Sequence, residues 1–242
     1  TLTTMKNILF MLNYFNFFAS CSKMKKVPQE FNPAVNNRVG GDILPMYSAN
    51  PYDNAGRIYD EIFDTYYNGT SRSTNVQSVI ADVESIANAN TSFDSINELS
   101  YESLNIDRID YITSRNITDI AGIIGACNLS ATAKTSFSNF LLSYVALYVS
   151  EIDAVTIYDA VVKYENTVIA SNLFTENDKR VILTTTSIVR YTSYRAKKKP
   201  KKNTDPDWII SVGHAFGTEE GAEENMAKAI VEGLVTGIVS NK

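Results

Sequence analysis

Apolar residues recur along most of this chain at intervals of three and four, the spacing of a helix face. Ile58, Ile62 and Tyr66 make an i, i+4, i+8 stripe that begins after Asn50-Pro51 and stops at Gly69. Proline is tolerated in a first turn, where its missing N–H has no partner to lose. A second segment, capped by Ser73 or Thr74, puts Val76, Val79, Ile80, Val83, Ile86 and Ala87 on one face. Ile96, Leu99, Leu104, Ile106, Ile109 and Ile112 predict one or two short helices within residues 94–114, and Ile117–Ile124 adds an apolar patch. Phe137–Val149, carrying Phe140, Leu141, Tyr144, Val145 and Tyr148, is the most apolar stretch of the body and is expected at its centre. It contains Ser138, Asn139 and Ser143 and has 13 residues, short of the roughly 20 that a bilayer span needs.

Ala154, Ile157, Val161, Tyr164 and Val168 repeat with the period of an amphipathic helix. Thr175-Glu176-Asn177-Asp178 is a capping-box start with Asp in the place of the longer Glu, and it opens a helix carrying Val181, Ile182, Thr185, Ile188 and Val189. The run Lys197-Lys198-Lys199-Pro200-Lys201-Lys202 ends that helix, Asp205-Pro206-Asp207 starts a short one through Trp208, and Glu219–Val239 is acidic at its front and apolar at its end. No stretch alternates with the period of a strand. The pattern predicts an all-α fold, a single irregular bundle of about seven to nine helices.

The N-terminus follows a different logic. Met5 reads as the start, with Thr1–Thr4 upstream of it, and Lys6 precedes an apolar run from Ile8 to Phe18 that ends in Ala19-Ser20 before Cys21. A charged start, a short apolar stretch and small residues before a cleavage point are the parts of a signal peptide. Phe18-Ala19-Ser20-Cys21 resembles a bacterial lipobox, in which the cysteine sulfur receives a diacylglycerol. Each buried acyl methylene adds about 0.8 kcal/mol of membrane partitioning, so several chains anchor a protein stably. The expected organisation is signal peptide 5–20, lipidated tether 21–49 with its Pro28, Pro33, Gly40, Gly41 and Pro45, and helical domain 50–242. Ser22 after the cysteine resembles the sorting of lipoproteins to an outer membrane, with the periplasmic face favoured over the cell surface because no acidic run follows.

Composition narrows the chemistry. With 44% hydrophobic residues, 14 Tyr and 11 Phe, the chain has ample material for a core. A formal charge of −5 argues against a nucleic-acid binder, and one His with two Cys excludes a multi-histidine metal centre or a disulfide framework. No phosphate loop, nucleophile elbow or zinc spacing is present, and no cofactor or metal site is expected. Cys127, among Ile123, Ile124, Gly125, Ala126 and Leu129, is expected to be an inert, buried thiol.

The candidate residues are few. His214, in Val212-Gly213-His214-Ala215-Phe216-Gly217, needs a positioned acid to serve as a general base, and Asp53, Asp60, Asp205 and Asp207 are the acids considered for a pocket with it. The plainer reading is a histidine at a helix end beside Trp208. Asp60 with Asp64 and Asp107 with Asp110 share helix faces, more in keeping with solvated surface than with acid–base work. Lys197, Lys198, Lys199, Lys201 and Lys202 suit either a solvated loop or contact with anionic lipid, worth about 1 kcal/mol per basic residue near such a surface. Gly213, Gly217 and Gly221, and again Gly233 and Gly237, recur every four residues and make smooth stripes where a second helix backbone can approach. Glu219, Glu220, Glu223 and Glu224 point to packing within the protein rather than within a bilayer.

The lipobox, the tether, Asn50-Pro51-Tyr52-Asp53-Asn54-Ala55-Gly56, the helix from Asp178-Lys179 to Ile188-Val189-Arg190-Tyr191-Thr192-Ser193-Tyr194 and the small-residue C-terminal segment together resemble a group of uncharacterised Bacteroidota lipoproteins. That group commonly carries a histidine shortly after the Asn-Pro-Tyr-Asp stretch, where this chain has Arg57, Ile58, Tyr59 and Asp60. The resemblance therefore implies location and architecture and supplies no catalytic histidine. The expected function is a lipid-anchored, exported envelope protein with a non-catalytic binding or structural role, its partner an envelope protein, lipid or glycan. A hydrolase with an acid-based pocket near Asp53, Asp60 and His214, and a membrane-active, toxin-like protein using the glycine-striped C-terminus, are the alternatives. An enzyme predicts convergent polar groups in a pocket, a binder an exposed apolar patch, and a membrane-active protein a last helix that leaves the body.

Overall fold

The computed structural model describes residues 38–39, 42–43, 45–69, 75–97, 100–114, 119–150, 153–198 and 212–240. Cys21, Lys199, Lys201, Lys202, Asp205, Asp207 and Trp208 lie outside the described residues, as do the side chains of Lys197, Lys198 and Val212. A pair of two-residue strands, β1 (Arg38–Val39) and β2 (Asp42–Ile43), comes first, antiparallel with Arg38 opposite Ile43. The helices that follow are α1 (Asp53–Asn68), α2 (Val76–Asn88), α3 (Thr91–Asp94), α4 (Ile106–Thr113), α5 (Ile120–Gly125), α6 (Ala131–Val149), α7 (Ala154–Ala170), α8 (Glu176–Lys198), α9 (Val212–Glu224) and α10 (Met226–Ser240). The fold is all-α, as the periodicity predicts: ten helices among the described residues, of which eight have eight residues or more. They belong to one compact unit, residues 37–242.

Asparagine starts many of these helices. The side chains of Asn75, Asn90, Asn105 and Asn225 accept hydrogen bonds from the amides of Ser78, Phe93, Arg108 and Lys228, three residues on in each case. Each pairs an amide that the first helical turn leaves without a partner. Asn75 thus caps α2 in the position expected of Ser73 or Thr74. The capping box of α8 forms as its residues suggest: Thr175 Oγ1 accepts from the Asp178 amide at 3.0 Å and Asp178 Oδ2 from the Thr175 amide at 2.9 Å. The free oxygen of Asp178 accepts from the Ser130 amide at 2.8 Å, which docks the start of α6 against the start of α8.

Two apolar cores result, and α8 serves both. One joins Ile120, Ile123 and Ile124 of α5, Phe137, Phe140, Leu141 and Tyr144 of α6, Ile157, Val161 and Val168 of α7, and Val181, Ile182 and Val189 of α8. The other joins Ile58, Tyr59, Ile62 and Phe63 of α1, Val79 and Val83 of α2, Phe93, Ile109, Ile188 of α8, and Ile230, Val231, Leu234 and Val235 of α10. The centre is α8 and not the apolar α6: every residue from Val181 to Ser193 is buried, whereas Leu142 on α6 is 42% exposed. A helix enclosed on all sides must satisfy its polar side chains from within. The hydroxyls of Thr185 and Ser193 donate to the carbonyls of Val181 and Val189 one turn back, and Ser187 donates to the Asp53 carbonyl while accepting from the Gly56 amide.

The C-terminal helices form an antiparallel hairpin turned at Asn225. A Cβ placed on Gly217 would lie 2.6 Å from the Glu232 carbonyl oxygen, and one on Gly221 would lie 2.6 Å from Ala229 N and Cα. The glycine stripes are therefore the seam of close packing. The last helix stays in the body, with Ala227 and every residue from Ala229 to Ile238 buried, which removes the arrangement that a membrane-active C-terminus requires. No helix among the described residues is long and apolar enough to cross a membrane.

The tether also ends earlier than its prolines suggest. Tyr47 is buried, its hydroxyl donating to Asn166 Oδ1 at 2.7 Å, and the Pro45 carbonyl accepts from Arg190. Residues 45–49 belong to the helical body.

Candidate functional site

Among the acids proposed from the sequence, those on α1 are each held by an arginine of α8. Asp53, at the first turn of α1, pairs with Arg190, and Asp60 and Asp64, on the same helix, both pair with Arg195. Seven residues separate Asp53 from Asp60, and five separate Arg190 from Arg195, so the two charged rungs clamp α1 along α8. Arg190 reaches further: its Nε donates to Glu165 Oε1 at 3.1 Å, and Asn50 Nδ2 donates to the same oxygen at 2.8 Å. Glu165 is 0% exposed, and burial pushes its carboxyl above the ordinary value against the pull of Arg190. Glu165 follows Val161 by four residues and precedes Val168 by three, a carboxylate set on the apolar stripe of α7. That placement was the available sign of a buried ion pair.

His214 does not join this arrangement. It sits on α9, 5% exposed, with Nδ1 hydrogen-bonded to the Tyr59 hydroxyl and 3.1 Å from the Gly233 carbonyl. Gly237 makes room for the ring, because a Cβ there would overlap the imidazole. Burial lowers the imidazole pKa to about 4. From α9, His214 wedges between α1 and α10, its imidazole held neutral by burial.

A third group was not foreseen. Cys127, in the turn between α5 and α6, is buried as expected, but its surroundings are acidic. The thiol donates to Glu219 Oε2, and Glu223, one turn further along α9, accepts from the Asn128 amide. One ligand atom from each of Cys127, Glu219 and Glu223 lies within 4.8 Å of the others. Burial pushes Glu219 up to about 8 and, with the neighbouring carboxylates, pushes the thiol up as well. Beside them Arg108 donates to Glu220 through Nη2 at 2.7 Å and Nε at 2.9 Å. Arg180 of α8 caps the C-terminal end of α9, donating to the carbonyls of Ala222 and, at 2.9 Å, Glu223. The available sequence signal is Glu219 four residues after Ala215, on the buried side of α9.

Glu232 is a further buried carboxylate, on α10, with Oε2 unpaired among the described residues. Burial is the main cause of a pKa raised to about 8; Glu220 and Glu224 push it the same way, while Lys228 and Arg108 oppose them. The native state therefore keeps a proton that the unfolded chain releases near the ordinary glutamate value of 4.5. Between those two values stability falls as pH rises, by up to about 1.4 kcal/mol per pH unit. Glu232→Gln is expected to flatten the fall in unfolding free energy between pH 5 and about 8, measured by urea denaturation across that range. An unchanged slope would show that Glu232 ionises freely in the folded protein.

Comparison of the chain with models of protein families, with curated proteins and with solved structures gives no match.

Proposed function

We propose that this chain is a lipid-anchored protein of the bacterial cell envelope, held by Cys21 at the outer membrane with its periplasmic face favoured. Its helical body has a binding or structural role rather than a catalytic one. The anchor rests on Lys6, the apolar run Ile8–Phe18 and Phe18-Ala19-Ser20-Cys21. The non-catalytic role rests on one observation of the body: the groups a hydrolase would use are built into its packing. A general base must come within about 3 Å of a substrate proton. Asp53 and Asp60 instead face Arg190 and Arg195, and His214 faces Tyr59 and Gly233.

The surface the body presents includes half-exposed Met46 and Val155 beside Tyr158, whose hydroxyl donates to the Met46 carbonyl at 3.0 Å. Leu173, in the turn before α8, is 77% exposed. These apolar side chains are contacts for a protein, lipid or glycan of the envelope.

The test is Cys21→Ser in the full chain. The parent is expected to partition with membranes and incorporate labelled palmitate, and the variant to do neither. Membrane partition unchanged by the substitution, without palmitate labelling of the parent, would overturn the anchor. For the body, turnover of ester, peptide or glycoside substrates that His214→Ala abolished without lowering the melting temperature would overturn the non-catalytic role.

A further inference from the structure

We propose that Cys127, Glu219 and Glu223 form a binding site for a divalent cation of the zinc class. The three side chains come from two rigid pieces of the fold. Glu219 and Glu223 stand at i and i+4 on α9 and so share a face, and Cys127 reaches that face from the α5–α6 turn. The pieces are held together independently of any ion: the Asn128 amide donates to Glu223 Oε1, and α8 ties to both, through Arg180 on the last carbonyls of α9 and Asn177 Nδ2 on the Asn128 carbonyl. Zinc bonds of about 2.0–2.3 Å at tetrahedral angles put neighbouring ligand atoms about 3.3–3.8 Å apart. The three donor atoms already lie within 4.8 Å of one another, near that spacing.

The independent pointer to a ligand is Glu219 itself. It is wholly buried, its Oε2 has the weak S–H donor of Cys127, and its Oε1 has no partner among the described residues. Buried carboxylates ordinarily collect strong donors for both oxygens, because leaving one bare costs free energy. A cation at this point supplies what the fold does not. As the ion binds, the Cys127 thiol and the Glu219 carboxyl each release a proton to solvent, so that sulfur and carboxylate oxygen take the metal in place of the S–H···O contact between them. Arg108, paired with Glu220, interacts with Glu219, Glu223 and Cys127 and so offsets part of the charge of three anionic ligands.

The donor set selects the metal. Calcium and magnesium take oxygen ligands, whereas a thiolate favours zinc and its neighbours. Three protein ligands leave a fourth position for water, and Glu223, which is partly exposed, gives the ion its approach from solvent.

The test uses the full chain carrying Cys21→Ser, so that Cys127 is its single thiol, with cobalt(II) as a spectroscopic probe and zinc as competitor. A thiolate-to-metal absorption band is expected to saturate at one equivalent of cobalt and to disappear as zinc displaces it, with calcium and magnesium inert. Cys127→Ser should abolish the band, and Glu219→Gln and Glu223→Gln should each weaken cobalt binding at least tenfold. Glu224→Gln, on the same helix but paired with Lys228, should leave it unchanged. Circular dichroism establishes that each variant is folded; should Glu219→Gln unfold the protein, the partly exposed Glu223 carries the test alone. Absence of the band overturns the site, and so does a band that survives Glu223→Gln undiminished, since it would report a lone thiol.

Discussion

Replacing Arg190 by alanine is expected to remove about 3–5 kcal/mol of unfolding free energy, the range for stripping one partner from a buried ion pair. The guanidinium is enclosed by Glu165, Asp53 and the Pro45 carbonyl, with Tyr47 beside it at 5.8 Å from ring centroid to Cζ. Its loss leaves Glu165 wholly buried with neutral donors, the Asn50 amide and the Thr186 hydroxyl, and no cation beside it among the described residues. The same change frees the Pro45–Asp53 stretch, since Arg190 touches both of its ends. Guanidinium chloride denaturation at neutral pH measures the loss, and amide exchange at residues 45–53 should rise with it. Arg190→Met combined with Glu165→Leu should recover most of the stability, because a packed apolar pair replaces the two wholly buried charges and the carboxylate left behind, Asp53, is within reach of solvent. A loss below about 1 kcal/mol for Arg190→Ala would mean that apolar packing alone holds α1 and α7 on α8.

Why the centre of this protein was harder to read than its edges follows from the same residues. Helices with one wet face announce themselves: Ile58, Ile62 and Tyr66 were legible as a stripe, and so were Val79 and Val83. On such helices the contrast between apolar and polar positions is the signal. α8 has no wet face between Val181 and Ser193, so the contrast vanishes, and its Thr184-Thr185-Thr186-Ser187 run looks more polar than the exposed flank of α6. What qualifies it for the interior is the capacity of hydroxyls to pair with the carbonyl one turn back, a property that a hydrophobicity pattern does not count. Likewise Glu165 and Glu219 occupy apolar positions in their own helices, but the partners that make burial tolerable, Arg190 and Cys127, lie 25 and 92 residues away. The glycine stripes were legible as a site of close approach, because a missing side chain means the same thing whichever helix comes to fill the space.

That seam carries the other large expected effect. In an exposed helix interior Gly→Ala stabilises by about 1 kcal/mol, since alanine loses less backbone entropy on folding. Gly125, at the end of α5, has nothing within 4 Å of where its Cβ would stand, and Gly125→Ala should show that gain. At Gly217 and Gly221 the sign should reverse. The atoms in the way are the Glu232 carbonyl and the Ala229 backbone, and backbone cannot step aside as a side-chain tip can. Each Ala substitution is expected to cost about 1–3 kcal/mol through overpacking, and the pair together more than either. The cost grows because α9 and α10 cannot part locally. His214 is held by the Gly233 carbonyl and Tyr59, and Thr218 and Thr236 turn their hydroxyls back onto their own helices at 2.6 and 2.7 Å. Separation would let water reach an imidazole and a Glu232 carboxyl that the fold keeps neutral. Thermal melts of Gly125→Ala, Gly221→Ala and the Gly217→Ala/Gly221→Ala pair test this through their signs: a melting temperature raised by Gly221→Ala would show that the hairpin is not closed on its glycines.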